Sequence, residues 1–298
     1  MLQYLYRRNI MSNTQNIKDS DFDSIIPTAL HTAYPLIFTD IHYSQEIFDK
    51  LSENGFADNL KNDKLAFELE ARHKLIDKFV KESGVKQILE IASGFTASGL
   101  NICKSDSNVK YIEFDLPKVI QKKKQILRDI TKIPNNMFFV EGNALRFKDL
   151  EKAVEIFDLS KPIAIINQGL LRYLNFEEKQ QVTENVYKII SKNNGVWITC
   201  DFTPAKFIQS QDKNLSEKTT NDYNSNLSKI TDRNNTSWRF KDKSDVEEFL
   251  AKNNLKIEWH DFTESVDMLS SKNQFKLTNE EVIPYLEHAY VGIITMKT

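Results

Sequence analysis

The sequence predicts an α/β fold built on a doubly wound, mostly parallel, seven-stranded sheet with an N-terminal helical cap and a helical insertion. Three observations predict it. Short apolar runs alternate with amphipathic helical stretches between Gln87 and Asp201, and continuous apolar strands of this kind belong to parallel sheets covered on both faces. The chain has only eight glycines, and Gly84, Gly94, Gly142, Gly169 and Gly195 punctuate that alternation. Turns at four strand ends carry Gly94, Asp115, Asn143 and Gln168, a polar crown where open α/β sheets bind ligands.

The elements follow in order. Residues 1–76 read as an N-terminal extension and helical cap, with helices at Ser44–Leu51 and from Leu65 to Val80, and residues 77–298 as the sheet domain. Strand Gln87–Ala92 leads to a helix from about Ala97, then strand Lys110–Phe114. Pro117 opens the next helix, where its fixed φ suits the first turn. Val119, Ile120, Ile126 and Leu127 are the apolar positions of that helix. Strand Met137–Val140 closes at Glu141-Gly142-Asn143, and a crossover from about Lys148 to Phe157 follows. Strand Ile163–Ile166 ends at Asn167-Gln168-Gly169. The helix Phe176–Ser191 gathers Val182, Val186, Ile189 and Ile190 on one side, stops at Asn193-Asn194-Gly195, and gives way to strand Val196–Cys200. Thr203–Arg239, rich in Asn, Ser, Thr, Lys and Asp, reads as a helical insertion or lid. A helix Ser244–Asn253 and strands Lys256–Asp261 and Ala289–Met296 complete the pattern, the last two as an antiparallel edge joined by a short connection.

Composition narrows the function classes. A chain of 298 residues suits one enlarged α/β domain. Its 40 basic and 42 acidic residues are interspersed, for a net charge of -2, so no footprint for nucleic acid or an anionic membrane is present. The run Lys122-Lys123-Lys124 reads as a solvated helix face. Cys103 and Cys200, each in an apolar setting, predict reduced buried thiols in a cytoplasmic protein. No stretch reaches the roughly 18 to 20 apolar residues of a membrane span. Met1–Ile10 lacks an apolar core of signal-peptide length, Met11 offers an alternative start, and these ten residues carry no functional weight. His31, His42, His73, His260 and His288 are scattered without metal-ligand spacing, so no metal is expected.

Chemistry concentrates in the loop Gln87–Leu100. Glu90 lies in the strand, Gly94 lets backbone approach a ligand, and Gly99 opens the following helix. Ala92 and Phe95 occupy positions where a pyrophosphate-binding loop prefers glycine, which points to a nucleoside ligand without phosphates. A carboxylate at the second strand end can accept both ribose hydroxyls; Asp115 is the first candidate and Glu113, on the same side of the strand, the second. Asp115 could instead cap the helix that follows. Asn143, with Ala144 leaving room for a ring, serves either an adenine edge or a turn. Gln168 offers its amide to cofactor or substrate, or lies in a surface turn.

The run Pro27-Thr28-Ala29-Leu30-His31-Thr32-Ala33-Tyr34 and the following Phe38-Thr39-Asp40-Ile41-His42-Tyr43-Ser44-Gln45-Glu46-Ile47 resemble the N-terminal segment of tetracenomycin-type polyketide O-methyltransferases. These belong with the leucine carboxyl methyltransferase group. Leu89-Glu90-Ile91-Ala92-Ser93-Gly94, Tyr111-Ile112-Glu113-Phe114-Asp115-Leu116-Pro117, Gly169-Leu170-Leu171-Arg172-Tyr173-Leu174 and Gly195-Val196-Trp197-Ile198-Thr199 are similar to further motifs of that family. The resemblance implies a Rossmann-like methyltransferase using S-adenosylmethionine. It implies a cofactor site in which Glu90, Ala92, Ser93 and Gly94 cradle the methionine part, Asp115 meets the ribose, Asn143 and Ala144 meet the adenine, and Leu116 and Gln168 lie alongside. Where the family usually has Glu, Asp and a nearby arginine, this chain has Gln168, Asn143 and Pro35-Leu36-Ile37.

The activity expected is O-methyl transfer to a hydroxyl or carboxyl of a small-molecule acceptor. The alternatives are a catalytically degenerate binding or partner protein of the same fold and, disfavoured by the incomplete glycine loop, a nicotinamide-dependent oxidoreductase. His31, Tyr34 and Tyr173 lie near the expected mouth, and the sequence assigns none of them as a base.

Overall fold

The structure, a computed structural model, describes residues 22–53, 62–202, 204 and 239–297. Apart from Pro204 and Arg239, the expected lid at Thr203–Arg239 lies outside the described residues.

One seven-stranded sheet organises the chain: β1 Gln87–Ile91, β2 Lys110–Asp115, β3 Met137–Glu141, β4 Ala164–Asn167, β5 Val196–Thr199, β6 Leu255–Asp261 and β7 Tyr290–Met296. The order across it is β3-β2-β1-β4-β5-β7-β6. The first five strands are parallel, while β7 runs antiparallel between β5 and β6. Helices α1 Phe22–Leu36, α2 Ser44–Ser52 and α3 Leu65–Glu82 precede β1. Helices α4 Ser98–Ser105, α5 Pro117–Ile130, α6 Phe147–Val154 and α7 Phe176–Ile190 link the parallel strands, and α8 Lys243–Lys252 precedes β6.

Strand alternation creates two cores. Ile88, Tyr111 and Ile166 pack with Leu75, Leu100 and Leu127 of α3, α4 and α5. Leu89, Ile112 and Ile165 face the other way, into a cluster with Leu150, Val186 and Leu250 of α6, α7 and α8. Successive side chains of a strand point to opposite faces, so continuous apolar runs require this double cover. The direction of winding reverses between β1 and β4, which opens a crevice outside their carboxyl ends.

Two features differ from the expectation drawn from sequence. Lys123 is not solvated: its side chain is 1% exposed, on the sheet-facing side of α5 beside Val119, Ile120 and Leu127. Between β6 and β7 the connection is not short: it runs through a 3-10 turn at Phe262–Met268 and the small helices α9 Ser271–Gln274 and α10 Asn279–Val282. This segment packs on α3, where Phe67 meets the rings of Phe275 and Tyr285, and the buried Glu70 carboxylate accepts bonds from both Ser270 N–H and Ser271 N–H. Helix α3 is therefore covered on both sides, and it continues unbroken past residue 76. No described helix is long and apolar enough to cross a membrane. Both cysteines are free and buried.

Candidate functional site

A cavity of about 320 Å³ lies at the carboxyl ends of β1, β2, β3 and β4, roofed by Ala29, Thr32 and Leu36 of α1. Glu90, Ala92, Ser93, Gly94, Asp115, Leu116, Asn143, Ala144 and Gln168 all line it. Of the three residues expected near the mouth, Tyr173 lines the cavity, whereas His31 and Tyr34 do not.

The loop after β1 makes its turn at Ala92, φ +54°, and Gly94, φ +51°. Glycine at the second position meets no Cβ penalty there, whereas Ala92 holds a left-handed conformation that disfavours L-residues. Asp115 ties this loop to the end of β2. One carboxylate oxygen accepts the Gly94 N–H at 2.9 Å and the other the Leu116 N–H at 2.7 Å. Burial pushes this carboxyl up to about 6 even though both N–H groups favour the charged form. Each oxygen keeps lone-pair capacity for a ligand hydroxyl. Glu113, the other acid considered for ribose, does not line the cavity; it is fully buried and paired with Lys123.

Asn143 forms a turn. Its side-chain oxygen accepts the Leu145 N–H at 2.9 Å, and its own N–H donates to Asp149 at 3.0 Å. That turn sets Ala144 against the cavity, where the buried Asn185 amide donates to the Ala144 carbonyl at 2.9 Å. Gln168 is no surface-turn residue. Both its amide atoms are buried without a partner among the described residues, and the side chain lines the cavity. A buried amide of this kind calls for a hydrogen-bond partner, and the cavity is where one could reach it.

Several site residues carried no strong sequence signal. Arg72 and His73 reach the cavity from α3, and Arg72 Nε, His73 Nε2 and Thr96 Oγ1 are buried without partners among the described residues. Burial and the neighbouring Arg72 charge hold His73 down to about 3, so its imidazole is neutral. Leu69, Arg72 and Ile76 fall three and four residues apart, and that spacing places Arg72 on a buried helix face. Asp201, just beyond β5, is a second hidden anchor. Its carboxylate accepts the N–H groups of Gly169 at 2.5 Å, Leu170 at 2.6 Å and Leu171 at 2.8 Å, and the Asn167 amide at 2.6 Å. Asn167 in turn accepts the Trp197 indole N–H at 2.6 Å, so the loop bearing Gln168 is tied to the core.

At the cavity floor the Tyr111 hydroxyl donates to Glu90 at 2.9 Å. Burial, and then the charge of Glu113, push Glu90 up to about 8, which leaves it protonated at neutral pH. The site thus offers a carboxylate for vicinal hydroxyls, a guanidinium, an unpartnered amide and apolar walls. This set fits a nucleoside bearing a carboxylate-ended chain and lacks a glycine cradle for phosphates.

A family model described as leucine carboxyl methyltransferase matches residues 33–187. A candidate S-adenosyl-L-methionine-dependent methyltransferase of Mycobacterium tuberculosis is 29% identical over 146 residues, which is 47% of this chain and 45% of that protein; the match thus spans less than half of the relative's length. Among solved structures, a DUF574-family protein from Streptomyces avermitilis superposes with a TM-score of 0.55 at 14% identity, covering 91% of this chain and 97% of that one. A candidate methyltransferase from Thermobifida fusca gives 0.52 at 13% identity, covering 90% and 94%. At such identities the likeness is one of fold.

Proposed function

This chain belongs to the leucine carboxyl methyltransferase family, and on that premise we propose that it transfers a methyl group from S-adenosylmethionine to an oxygen of a small molecule. The observation that carries the donor assignment is the cavity itself, in which Asp115, the β1 loop, Arg72 and the orphaned Gln168 amide surround one apolar-walled space. Asp115 receives the ribose hydroxyls, Arg72 neutralises the donor carboxylate, and Asn143 with Ala144 borders the adenine. When bound, the donor supplies an electrophilic methyl group on a sulfonium. The protein's part is to hold the acceptor oxygen in line within about 3 to 3.5 Å and to keep water out.

Of the two acceptor types, a carboxylate is favoured over a hydroxyl. A carboxylate is already ionised at neutral pH, whereas an alcohol or phenol gains from a base of matched pKa. Asp115, pushed up to about 6, is committed to the Gly94 and Leu116 N–H groups and to the ribose, and the rest of the cavity is poor in such groups. His73 is held too low to take a proton, Glu90 keeps its own proton and its Tyr111 bond, and Gln168 does not ionise. Helices before residue 77 form the acceptor-facing cap in this reading, and two buried free thiols suit a cytoplasmic setting.

Isothermal titration with S-adenosylmethionine and S-adenosylhomocysteine tests the donor; absence of binding to either at millimolar concentration sinks it. Methyl-labelled donor incubated with carboxylate and phenol panels tests the acceptor. Label released as methanol by mild alkali marks an ester, and alkali-stable label marks an ether and overturns the carboxylate assignment. The amides at Asn143 and Gln168, where the family resemblance leads one to expect acids, favour a second reading, a binding protein that keeps the fold. Donor binding with no transfer to any acceptor supports it.

A further inference from the structure

Glu90 and Glu113 are register partners on adjacent strands, so their carboxyl groups share one face and one buried layer. Lys123 enters this layer from α5. Its ammonium pairs with Glu113 and donates to the Ser93 carbonyl at 3.1 Å. Gly99 makes room for this arrangement, because a Cβ there would stand 2.6 Å from the Tyr111 ring and 2.7 Å from Glu113 Oε1. Buried ion pairs are often no more stabilising than apolar residues of the same volume, so stability alone is a poor account of this one. The task on hand is the loop. Three ties hold the turn around Ala92: Ser93 N–H to the Phe114 carbonyl at 3.2 Å, Gly94 N–H to Asp115 at 2.9 Å, and the Ser93 carbonyl to Lys123. The first two come from the end of β2, and Lys123 is the tie from the helix layer.

We propose that Lys123 is a positioning residue, which through its buried pair with Glu113 holds the Ser93 carbonyl and keeps the left-handed Ala92 turn in the shape that binds the methyl donor. The inference rests on the donor reading given above. It also explains how this loop works with alanine at a position suited to glycine: an external tie replaces backbone freedom.

The test uses the full chain with Lys123→Met and with the charge-matched Lys123→Met/Glu113→Gln, each alone and combined with Ala92→Gly. Amide hydrogen exchange at Ser93 and Gly94 is read without ligand, and S-adenosylhomocysteine affinity is read by isothermal titration. Loss of one charge-assisted bond corresponds to about tenfold in an equilibrium constant. In the double variant, exchange at these two amides is therefore expected to quicken about tenfold and Kd to rise about tenfold, and addition of Ala92→Gly is expected to restore Kd. Rescue by Ala92→Gly is the readout that a merely structural role would not give. A wild-type chain that binds no S-adenosylhomocysteine overturns the donor reading. A wild-type chain that binds it, with a folded double variant matching it in exchange and Kd, overturns this inference alone, as does a raised Kd that Ala92→Gly leaves unchanged.

Discussion

Ala92 spends conformational energy that a glycine would not. The left-handed region costs an L-residue roughly 1 to 2 kcal/mol, and glycine returns part of that as unfolded-state entropy. Ala92→Gly is therefore expected to stabilise the chain by about 0.5 to 1 kcal/mol, seen as a higher urea midpoint at unchanged m; a lower midpoint would show that the alanine methyl packs better than it strains. Asp115→Asn tests the neighbouring tie. An amide cannot accept both N–H groups as a carboxylate does, so donor affinity should fall about tenfold to a hundredfold, and a titration that gives an unchanged Kd contradicts the ribose role. At this scale the sequence was legible where a cavity-lining residue sits at a strand end, as for Gly94 and Asp115. It was not legible for Arg72, Lys123 or Asp201, whose roles come from what a distant segment places against them.

Elements were easier to read than their attachments. The alternation of apolar runs marked the parallel strands because a buried strand and an amphipathic helix differ in period. The small helices after Phe262 gave no such signal, since four-residue helices show no period, and α3 holds them through Phe67 and Glu70. The turn after β4 shows the same dependence on a remote partner. Asp201→Ala removes the acceptor for three consecutive backbone N–H groups and the Asn167 amide. An expected loss of about 3 kcal/mol or more follows from unmet buried donors, with fast exchange at Gly169 to Leu171. The cap of α7 is a local contrast: Asn175 and Glu178 satisfy each other's N–H groups within one turn, so Asn175→Ala should cost only about 1 kcal/mol. Comparable losses from the two substitutions would mean that Asp201 does not anchor the loop.

Across the whole molecule, burial of acids makes stability fall as pH rises. Glu90 moves from 4.5 to about 8, chiefly by desolvation and then by Glu113, and burial moves Asp77 and Asp115 from 3.8 to about 6. For each, the folded chain holds a proton that the unfolded chain has already released, so unfolding is progressively favoured between the unfolded and folded pKa values. Asp77 and Asp115 act up to about pH 6 and Glu90 up to about pH 8, beyond which their effect is constant. His73, held from 6.5 down to about 3, opposes this trend with one proton up to about pH 6.5, where the three acids outweigh it, and Asp40, Asp106 and Asp158 shift downward and oppose it only in more acid solution. Urea unfolding is therefore expected to give maximal stability near pH 4, about where the unfolded carboxyls begin to release their protons, and a decline of a few kcal/mol on the way to about pH 8. Glu90→Gln keeps an acceptor for Tyr111 but cannot ionise, so it should flatten the profile between about pH 6 and 8 and leave the variant more stable than wild type at about pH 8.5. A wild-type profile that is flat or rises over that interval would mean that Glu90 is ionised in the folded protein, with Lys123 shared between two carboxylates rather than committed to Glu113 and the loop.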